Sequence, residues 1–163
     1  MIKIVEGNIL NAKEDIIGHQ VNCMGVMGSG LAKQVRNKYP EVYNHYVQTV
    51  NWVKEENKRG NIKNDNLLGS CVFSKTNDGK TIANIFGQYS YGRGKQFTNY
   101  DVLKKALSSI YENITVGYNN LYGKSVALPY GLSCGLAGGD WNIVYEIIDD
   151  VFENYEVTLY RFN

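Results

Sequence analysis

The chain is short of the features that mark disulfide-bonded and metal-binding domains. It has three cysteines in 163 residues and no C-x-x-C pair, which argues against a disulfide framework and a structural zinc site. Two histidines are too few for most all-histidine metal sites, so we expect neither a metal nor a cofactor. With only two prolines beside 17 glycines, the composition favours backbone that bends sharply or approaches a ligand closely.

Long hydrophobic runs and an excess of charge are absent as well. No stretch of about 18 consecutive apolar residues occurs, and the start MIKIVEGNIL lacks a cleavage pattern. We therefore predict no membrane contact, no secretory leader and a cytoplasmic location. The formal net charge of +1 gives no strong nucleic-acid signal, although it leaves room for a small phosphate site. An ordinary globular composition of this length predicts one domain over residues 1–163, which we expect to be monomeric.

Short apolar runs alternate with stretches of helical periodicity, which predicts an α/β fold. The predicted strands are Ile2–Glu6, Ile16–Val21, Gly69–Lys75, Thr81–Gly87, Ser125–Leu128 and Val157–Phe162. Helices are predicted after Gly30, from Pro40, from Thr98 or Asn99, and after Asp140 as N-cap. Asn57–Asn66 and Tyr89–Phe97 are predicted loops, and the second is either a lid over a ligand or an ordinary connection.

Two glycine-rich segments, Asn22–Ala32 and Pro129–Trp141, each follow a predicted strand and precede a predicted helix. In a parallel sheet such turns meet at the carboxyl edge, where ligands bind. Glycine lets successive backbone N–H groups converge, and the following helix adds its positive end, so each turn predicts an anion cradle. Two facing cradles suit a diphosphate. The alternative is a pair of tight turns without a ligand, because neither a G-x-G-x-x-G nor a P-loop spacing is present.

Three motifs in this order resemble the macro domain family: Gly7–Ile9 after the first strand, Val21–Ala32, and Ser133–Trp141. The resemblance extends over nearly the whole chain, including the closing strand Val157–Phe162. It implies a three-layer α/β/α domain with a mixed, mostly parallel central sheet, and a cleft that binds the small molecule ADP-ribose or a derivative.

The resemblance also implies a role for individual residues. Asn8, where most macro domains have Asp, would lie at the adenine with the Ile9 amide, and Phe162 would form an apolar wall for the base. Asn22 would reach the distal ribose, while the two glycine-rich loops hold the diphosphate. The complete set of expected ligand-binding residues is Asn8, Ile9, Leu10, Gln20, Val21, Asn22, Met27, Gly28, Ser29, Gly30, Leu31, Ala32, Gln88, Gly131, Leu132, Ser133, Cys134, Gly135, Leu136, Ala137 and Phe162.

Two branches of the family imply different reactions. The branch that removes ADP-ribose from protein or DNA carries an Asp where this chain has Ala137, and a Lys near Gln88. The branch that hydrolyses ADP-ribose 1″-phosphate is more similar, since some of its members carry a His three residues before the ribose Asn, as His19 stands before Asn22. We therefore expect this phosphatase activity. The alternatives are ADP-ribosyl hydrolysis and binding without turnover.

The expected catalytic residues are His19, Asn22 and Asp140, and two of them have a second interpretation. His19 is either the proton-transfer group or nucleophile, or a strand histidine bonded to a backbone carbonyl. Asp140 either orients a water or the histidine, or caps the last helix. Cys134 in the second loop is expected to be a packed residue and not a reactive thiol.

Overall fold

A computed structural model describes residues 1–162 of the chain. Its elements, in chain order, are β1 (Ile2–Glu6), β2 (Ile16–Val21), α1 (Gly30–Lys38), α2 (Pro40–Lys58), β3 (Cys71–Lys75), β4 (Thr81–Phe86), α3 (Tyr100–Val116), β5 (Val126–Pro129), α4 (Trp141–Val151) and β6 (Val157–Arg161). Two short 3-10 turns, Ile9–Asn11 and Tyr118–Asn120, lie in the connections.

The six strands form one sheet in the order β1-β6-β5-β2-β4-β3. Only β3 runs against its neighbour, β4, while the other four pairings are parallel. The prediction of a mixed, mostly parallel sheet is therefore confirmed. As a result, the carboxyl ends of β2, β4, β5 and β6 lie at the same edge, where parallel sheets bind ligands.

Helices cover both faces of this sheet, which confirms the three-layer arrangement. On one face, Leu107 of α3 and Ile148 of α4 pack against Ile85 of β4. On the other, Val35 of α1 and Tyr46 of α2 pack over β2 and β4. Each fully buried aliphatic side chain contributes about 1.5–3 kcal/mol to folding, so these two cores hold the edge loops on a rigid frame. No helix within residues 1–162 is long and apolar enough to cross a membrane.

The predicted helix starts agree closely with the structure. The Asn99 side chain caps α3 by accepting from the Asp101 and Val102 amides, and Asp140 caps α4 by accepting from the Asn142 amide. Pro40 is the first residue of α2, where a missing N–H costs nothing. By contrast, Ser29 makes no side-chain cap at the start of α1, a difference that matters for the site.

Several predicted boundaries were wrong by one or two residues, each for a local reason. The strand predicted from Gly69 begins at Cys71, because Gly69 has a left-handed φ of +85°. The strand predicted to Gly87 ends at Phe86. The strand predicted over Ser125–Leu128 covers Val126–Pro129, since Ser125 bonds to Asp15 instead. The last strand ends at Arg161, where its pairing with β1 stops. The predicted loop from residue 57 begins after Lys58, the end of α2.

Candidate functional site

A cavity of about 570 Å³ opens at the carboxyl edge of the sheet, between the two glycine-rich loops. This size lies within the usual range for small-molecule sites. Its lining residues are His19, Gln20, Val21, Asn22, Val26, Gly28, Ser29, Gly30, Leu31, Ala32, Gln88, Tyr91, Gly92, Arg93, Pro129, Tyr130, Gly131, Leu132, Ser133, Gly135, Leu136 and Ala137. The two segments that the sequence places about 100 residues apart therefore face one another, as expected for parallel strands.

The side chain of Asn22 shapes the first loop. Its Oδ1 accepts from the Met24 amide at 2.9 Å, and its Nδ2 donates to the Val26 carbonyl at 2.8 Å. The hydroxyl of Tyr46, buried on α2, donates to the Asn22 carbonyl at 2.7 Å and accepts from the Gly25 amide. Asn22 is thus built into the loop, and one Nδ2 hydrogen remains for a ligand.

The start of α1 presents free amides to the cavity. The first N–H groups of a helix have no acceptor within the helix, and Ser29 supplies no side-chain cap. In the part of the chain that the structure describes, the amides of Gly30, Leu31 and Ala32 have no acceptor, and all three residues line the cavity. The positive end of the helix dipole lies at the same place, so this wall favours an anion.

The second loop offers a matching set of amides across the cavity. Its turns are closed by bonds from Cys134 N to the Gly131 carbonyl and from Gly138 N to the Gly135 carbonyl. Within residues 1–162, the amides of Gly135, Leu136 and Ala137 have no acceptor, and all three residues line the cavity. The cavity is thus bordered on two sides by amides without an acceptor within residues 1–162, an arrangement that suits the predicted double cradle.

Gln20 of β2 joins the second glycine-rich loop to the loop that follows β4. Its Nε2 donates to Gln88 Oε1 at 2.7 Å and to Thr98 Oγ1 at 3.0 Å, and its Oε1 accepts from Ser133 Oγ at 2.6 Å. A Cβ atom at Gly87 would lie 2.2 Å from the same Oε1, so a larger residue there would displace the Gln20 side chain from these bonds. Gln20 borders the cavity, but its polar atoms are used to hold the loops.

His19, on β2, lines the cavity with its side chain almost wholly buried. Only 1% of the residue is exposed, its Nε2 lies 2.8 Å from Asn84 Oδ1, and its Nδ1 is buried and unpartnered within residues 1–162. Burial lowers the pKa of His19 from 6.5 to about 4, although the hydrogen bond to Asn84 opposes this effect. The imidazole is therefore neutral at pH 7 and available as a base or nucleophile, not as an acid. Its partner is a side chain, not the backbone carbonyl considered above.

Arg93 is the one charged side chain among the lining residues that the structure describes, which include no Asp, Glu or Lys. It belongs, together with Tyr91 and Gly92, to the Tyr89–Phe97 loop, for which a lid and an ordinary connection are the two interpretations. The other cation of this loop, Lys95, does not line the cavity and sits 4.9 Å from the centre of the Phe97 ring. Of the two cations in this loop, Arg93 therefore borders the cavity and Lys95 does not.

Some of the predicted site residues do not line the cavity. Asn8 caps the turn Ile9–Asn11 through a bond from the Leu10 amide, while Ile9, Leu10 and Met27 are buried in the core. Phe162 is 74% exposed beyond the end of β6 and forms no part of the wall.

Two further predicted residues are held by local contacts. Cys134 packs beside the α3–α4 core with its thiol on the Leu132 carbonyl, and burial raises the pKa of Cys134 to about 11. It is therefore a packed thiol, as expected. Asp140 is exposed and caps α4, and it does not line the cavity.

Other residues of the site were missed from the sequence. Val26, Pro129 and Tyr130 line the cavity, and they lie inside the two motifs that already pointed to it. Asn84 was also missed, although a lone amide in the apolar strand TIANIF was a visible signal. The role of Tyr46 had no such signal, because a buried tyrosine on a helix usually serves the core.

The fold and the cavity together define an α/β domain with a cleft between two glycine-rich loops at the carboxyl edge of its sheet. No protein-family model matches the chain. A DNA ADP-ribosyl transferase–DNA ADP-ribosyl glycohydrolase fusion protein of Thermosipho africanus is 28% identical over 152 residues, which are 88% of this chain and 37% of that protein. The ADP-ribose 1″-phosphate phosphatase of Saccharomyces cerevisiae is 31% identical over 110 residues, 63% of this chain and 56% of that protein.

Among solved structures, the macrodomain of Mycobacterium tuberculosis DarG aligns with a TM-score of 0.76 and 26% identity, covering 98% of this chain and 97% of that one. The chain therefore has the macro domain fold, as the three motifs implied. It spans only 37% and 56% of the lengths of the two relatives above.

Proposed function

We propose that the cavity binds derivatives of ADP-ribose and that the chain hydrolyses ADP-ribose 1″-phosphate to ADP-ribose and phosphate. The observation that carries this proposal is the pair of walls of unpaired amides that border the cavity, at Gly30–Ala32 and Gly135–Ala137. Such walls suit a diphosphate, whose negative charge is shared by two groups of oxygens. The similarity to an ADP-ribose 1″-phosphate phosphatase supports the choice of substrate.

His19 supplies the proton transfer in this proposal. As a neutral imidazole it takes a proton from the attacking water, whose oxygen forms a bond to phosphorus while the bond from phosphorus to the 1″ oxygen breaks. The proton then passes from His19 to the departing oxygen. Because His19 is almost wholly buried, the ring or the loop beside it must shift when the substrate binds.

Two further polar groups have proposed roles at the same end of the ligand. The remaining Nδ2 hydrogen of Asn22 binds the distal ribose, and Arg93 binds the terminal phosphate. At the other end, Asn8, Ile9, Leu10 and Phe162 remain the proposed adenine contacts. Since Asn8 Oδ1 already accepts from the Leu10 amide, only its second lone pair is free for the base.

Phosphate release from ADP-ribose 1″-phosphate tests the activity. We expect the wild type to release phosphate and His19→Ala to lose the activity by at least about 100-fold, the usual contribution of acid–base catalysis. His45→Ala is the matched control, because His45 is exposed on α2 and does not line the cavity. If the wild type binds ADP-ribose but releases no phosphate, the chain is a binding protein and not a phosphatase. A fast His19→Ala variant would remove His19 from the mechanism.

Removal of ADP-ribose from DNA is the second candidate, because a glycohydrolase-containing relative aligns over 88% of the chain. The lining residues within the described chain offer no carboxylate or lysine for such a reaction, and Gln88 and Ala137 stand at the two expected positions. An ADP-ribosylated oligonucleotide offered beside ADP-ribose 1″-phosphate distinguishes the two activities. Release of free ADP-ribose from the oligonucleotide alone would favour the second candidate.

A further inference from the structure

Strand β4 carries one amide side chain in an otherwise apolar sequence, TIANIF, apart from its first residue. This residue, Asn84, is wholly buried and lies directly opposite His19 in the register of β2 and β4. A buried amide costs stability unless both of its ends are hydrogen-bonded. The contacts of Asn84 therefore show what it does.

Those contacts fix which way the amide faces. Asn84 lies 2.9 Å from the Val72 carbonyl oxygen, which can only accept, so the atom facing Val72 must be Nδ2. The same Nδ2 donates to Ser74 Oγ at 3.0 Å. The atom that faces His19 is then Oδ1, which can only accept.

The orientation of Asn84 in turn fixes the protonation of the imidazole. Because Oδ1 cannot donate, the 2.8 Å contact with His19 requires a hydrogen on Nε2. A neutral imidazole carries one hydrogen, so Nδ1 has the lone pair. This is the nitrogen that is buried and has no partner within residues 1–162. A buried acceptor without a donor is rare and needs a reason.

The bonds beyond Asn84 are consistent with this direction. Ser74 Oγ accepts from Asn84 Nδ2 and also lies 2.6 Å from Nδ1 of His45 on α2. The orientation of Asn84 does not depend on this outer link, because the Val72 carbonyl fixes it alone.

We propose that Asn84 is a positioning residue that holds His19 as the Nε2–H tautomer and so reserves the Nδ1 lone pair for the substrate or its attacking water. The catalytic half of this inference rests on the proposed function, whereas the tautomer belongs to the free protein. Without Asn84, either ring nitrogen could carry the hydrogen. A fraction of the molecules would then have the base facing β4 and not the cavity.

The tautomer is measured directly in the wild type by long-range ¹H–¹⁵N NMR of the imidazole rings at neutral pH, with His45→Ala to assign the signals. We expect one Nε2–H form for His19. The turnover test compares Asn84→Leu, which removes the acceptor, with Asn84→Asp, which keeps one. Ser74→Ala is the control, since it removes the outer link and leaves the Val72 anchor in place.

We expect Asn84→Leu to give mixed tautomers and to lower kcat by about 100-fold while KM changes little, the pattern of a lost acid–base contribution. Asn84→Asp keeps an acceptor for the Nε2 hydrogen but loses the donor to the Val72 carbonyl, so it should keep the Nε2–H form and recover only part of kcat. Ser74→Ala should match the wild type. If Asn84→Leu does not fold, the tautomer of His19 in the wild type and the kcat of Asn84→Asp still test the proposal.

An Nδ1–H form in the wild type, or unchanged kcat in folded Asn84→Leu, overturns the proposal. A wild type with the Nε2–H form and no phosphate release would instead overturn the proposed function and the catalytic half, while the tautomer stands.

Discussion

Ser133 donates a 2.6 Å hydrogen bond to Oε1 of Gln20, and this bond joins the second glycine-rich loop to the strand that carries His19. Ser133 has a left-handed φ of 69°, which is unfavourable for a residue with a Cβ atom. Its carbonyl accepts from Thr98 Oγ1 and from the Gly139 amide. These three bonds hold Ser133 in place and keep the next three residues at the cavity wall.

Replacing Ser133 separates the bond from the backbone strain. Ser133→Ala removes the donor to Gln20 and keeps the strain, so we expect unfolding free energy to fall by about 1–2 kcal/mol. Ser133→Gly removes the same bond but relieves roughly 1 kcal/mol of strain, so it should be nearly neutral. Urea unfolding of the two variants checks this. An equal loss of unfolding free energy in both variants would mean that the left-handed φ of Ser133 costs no stability.

Charge placed at Gly135 tests the amide wall. A Cβ atom there would meet nothing within 4 Å, so both Gly135→Ala and Gly135→Glu should fold normally. The Glu carboxylate would stand beside the amides that we assign to the diphosphate, and like charges repel. By calorimetry we expect Gly135→Ala to bind ADP-ribose with near wild-type affinity and Gly135→Glu to lose binding by at least about 100-fold. Unchanged affinity in Gly135→Glu would contradict the cradle.

Arg93 and Lys95 form a matched pair on one loop, with the same charge and a different position. Arg93 lines the cavity and Lys95 lies over the Phe97 ring instead. Arg93→Gln should raise KM for ADP-ribose 1″-phosphate by roughly 10-fold, the effect of about 1.4 kcal/mol from one charge-assisted hydrogen bond, and should change ADP-ribose affinity less. Lys95→Gln, which alters net charge equally, should leave both unchanged. Equal effects in the two variants would indicate only general electrostatic attraction.

The stability of the protein should depend on pH through His19. Its folded pKa of about 4 lies below the unfolded value of 6.5, so the unfolded state binds more protons between these values. Stability is then complete above about pH 6.5 and falls as the pH drops toward 4, by on the order of 3 kcal/mol. Chemical denaturation of wild type and His19→Leu from pH 7 to 4.5 checks this. The unfolding free energy of His19→Leu should change less with pH than that of the wild type. Equal changes in the two proteins would contradict the lowered pKa of His19.

Asp140 should act on stability and not on turnover. Its Oδ1 accepts from the Asn142 amide at the start of α4, and a lost N-cap costs about 1 kcal/mol. Asp140→Ala should lower the melting temperature, while Asp140→Asn should retain the cap and the wild-type kcat. A large fall of kcat in Asp140→Asn would return Asp140 to the catalytic residues.

The sequence predicted the elements and the position of the two glycine-rich loops well because the signals for both are local. Asp140 and Asn99 act through amides two or three residues away, and β2 (Ile16–Val21) has β-branched residues at both of its ends. The two glycine-rich turns were placed correctly because the carboxyl ends of parallel strands must meet.

The partners of individual polar side chains were not predictable in this way. Gln20 was expected to face the ligand, yet its amide is bonded to Gln88 and Ser133, which only the folded chain brings near. Asn84 and His19 are 65 residues apart, and only the register of two strands makes them neighbours. Such long-range pairs leave no pattern in a single sequence.

The aromatic stack at the mouth of the cavity gives the protein a built-in optical reporter. Tyr130 lines the cavity, and its ring centre lies 4.8 Å from that of Trp141. The other indole, Trp52, is 58% exposed on α2 and supplies a steady background. Whatever enters between the loops and moves Tyr130 also alters the surroundings of Trp141, so the intrinsic emission can follow occupancy in a cuvette without any label.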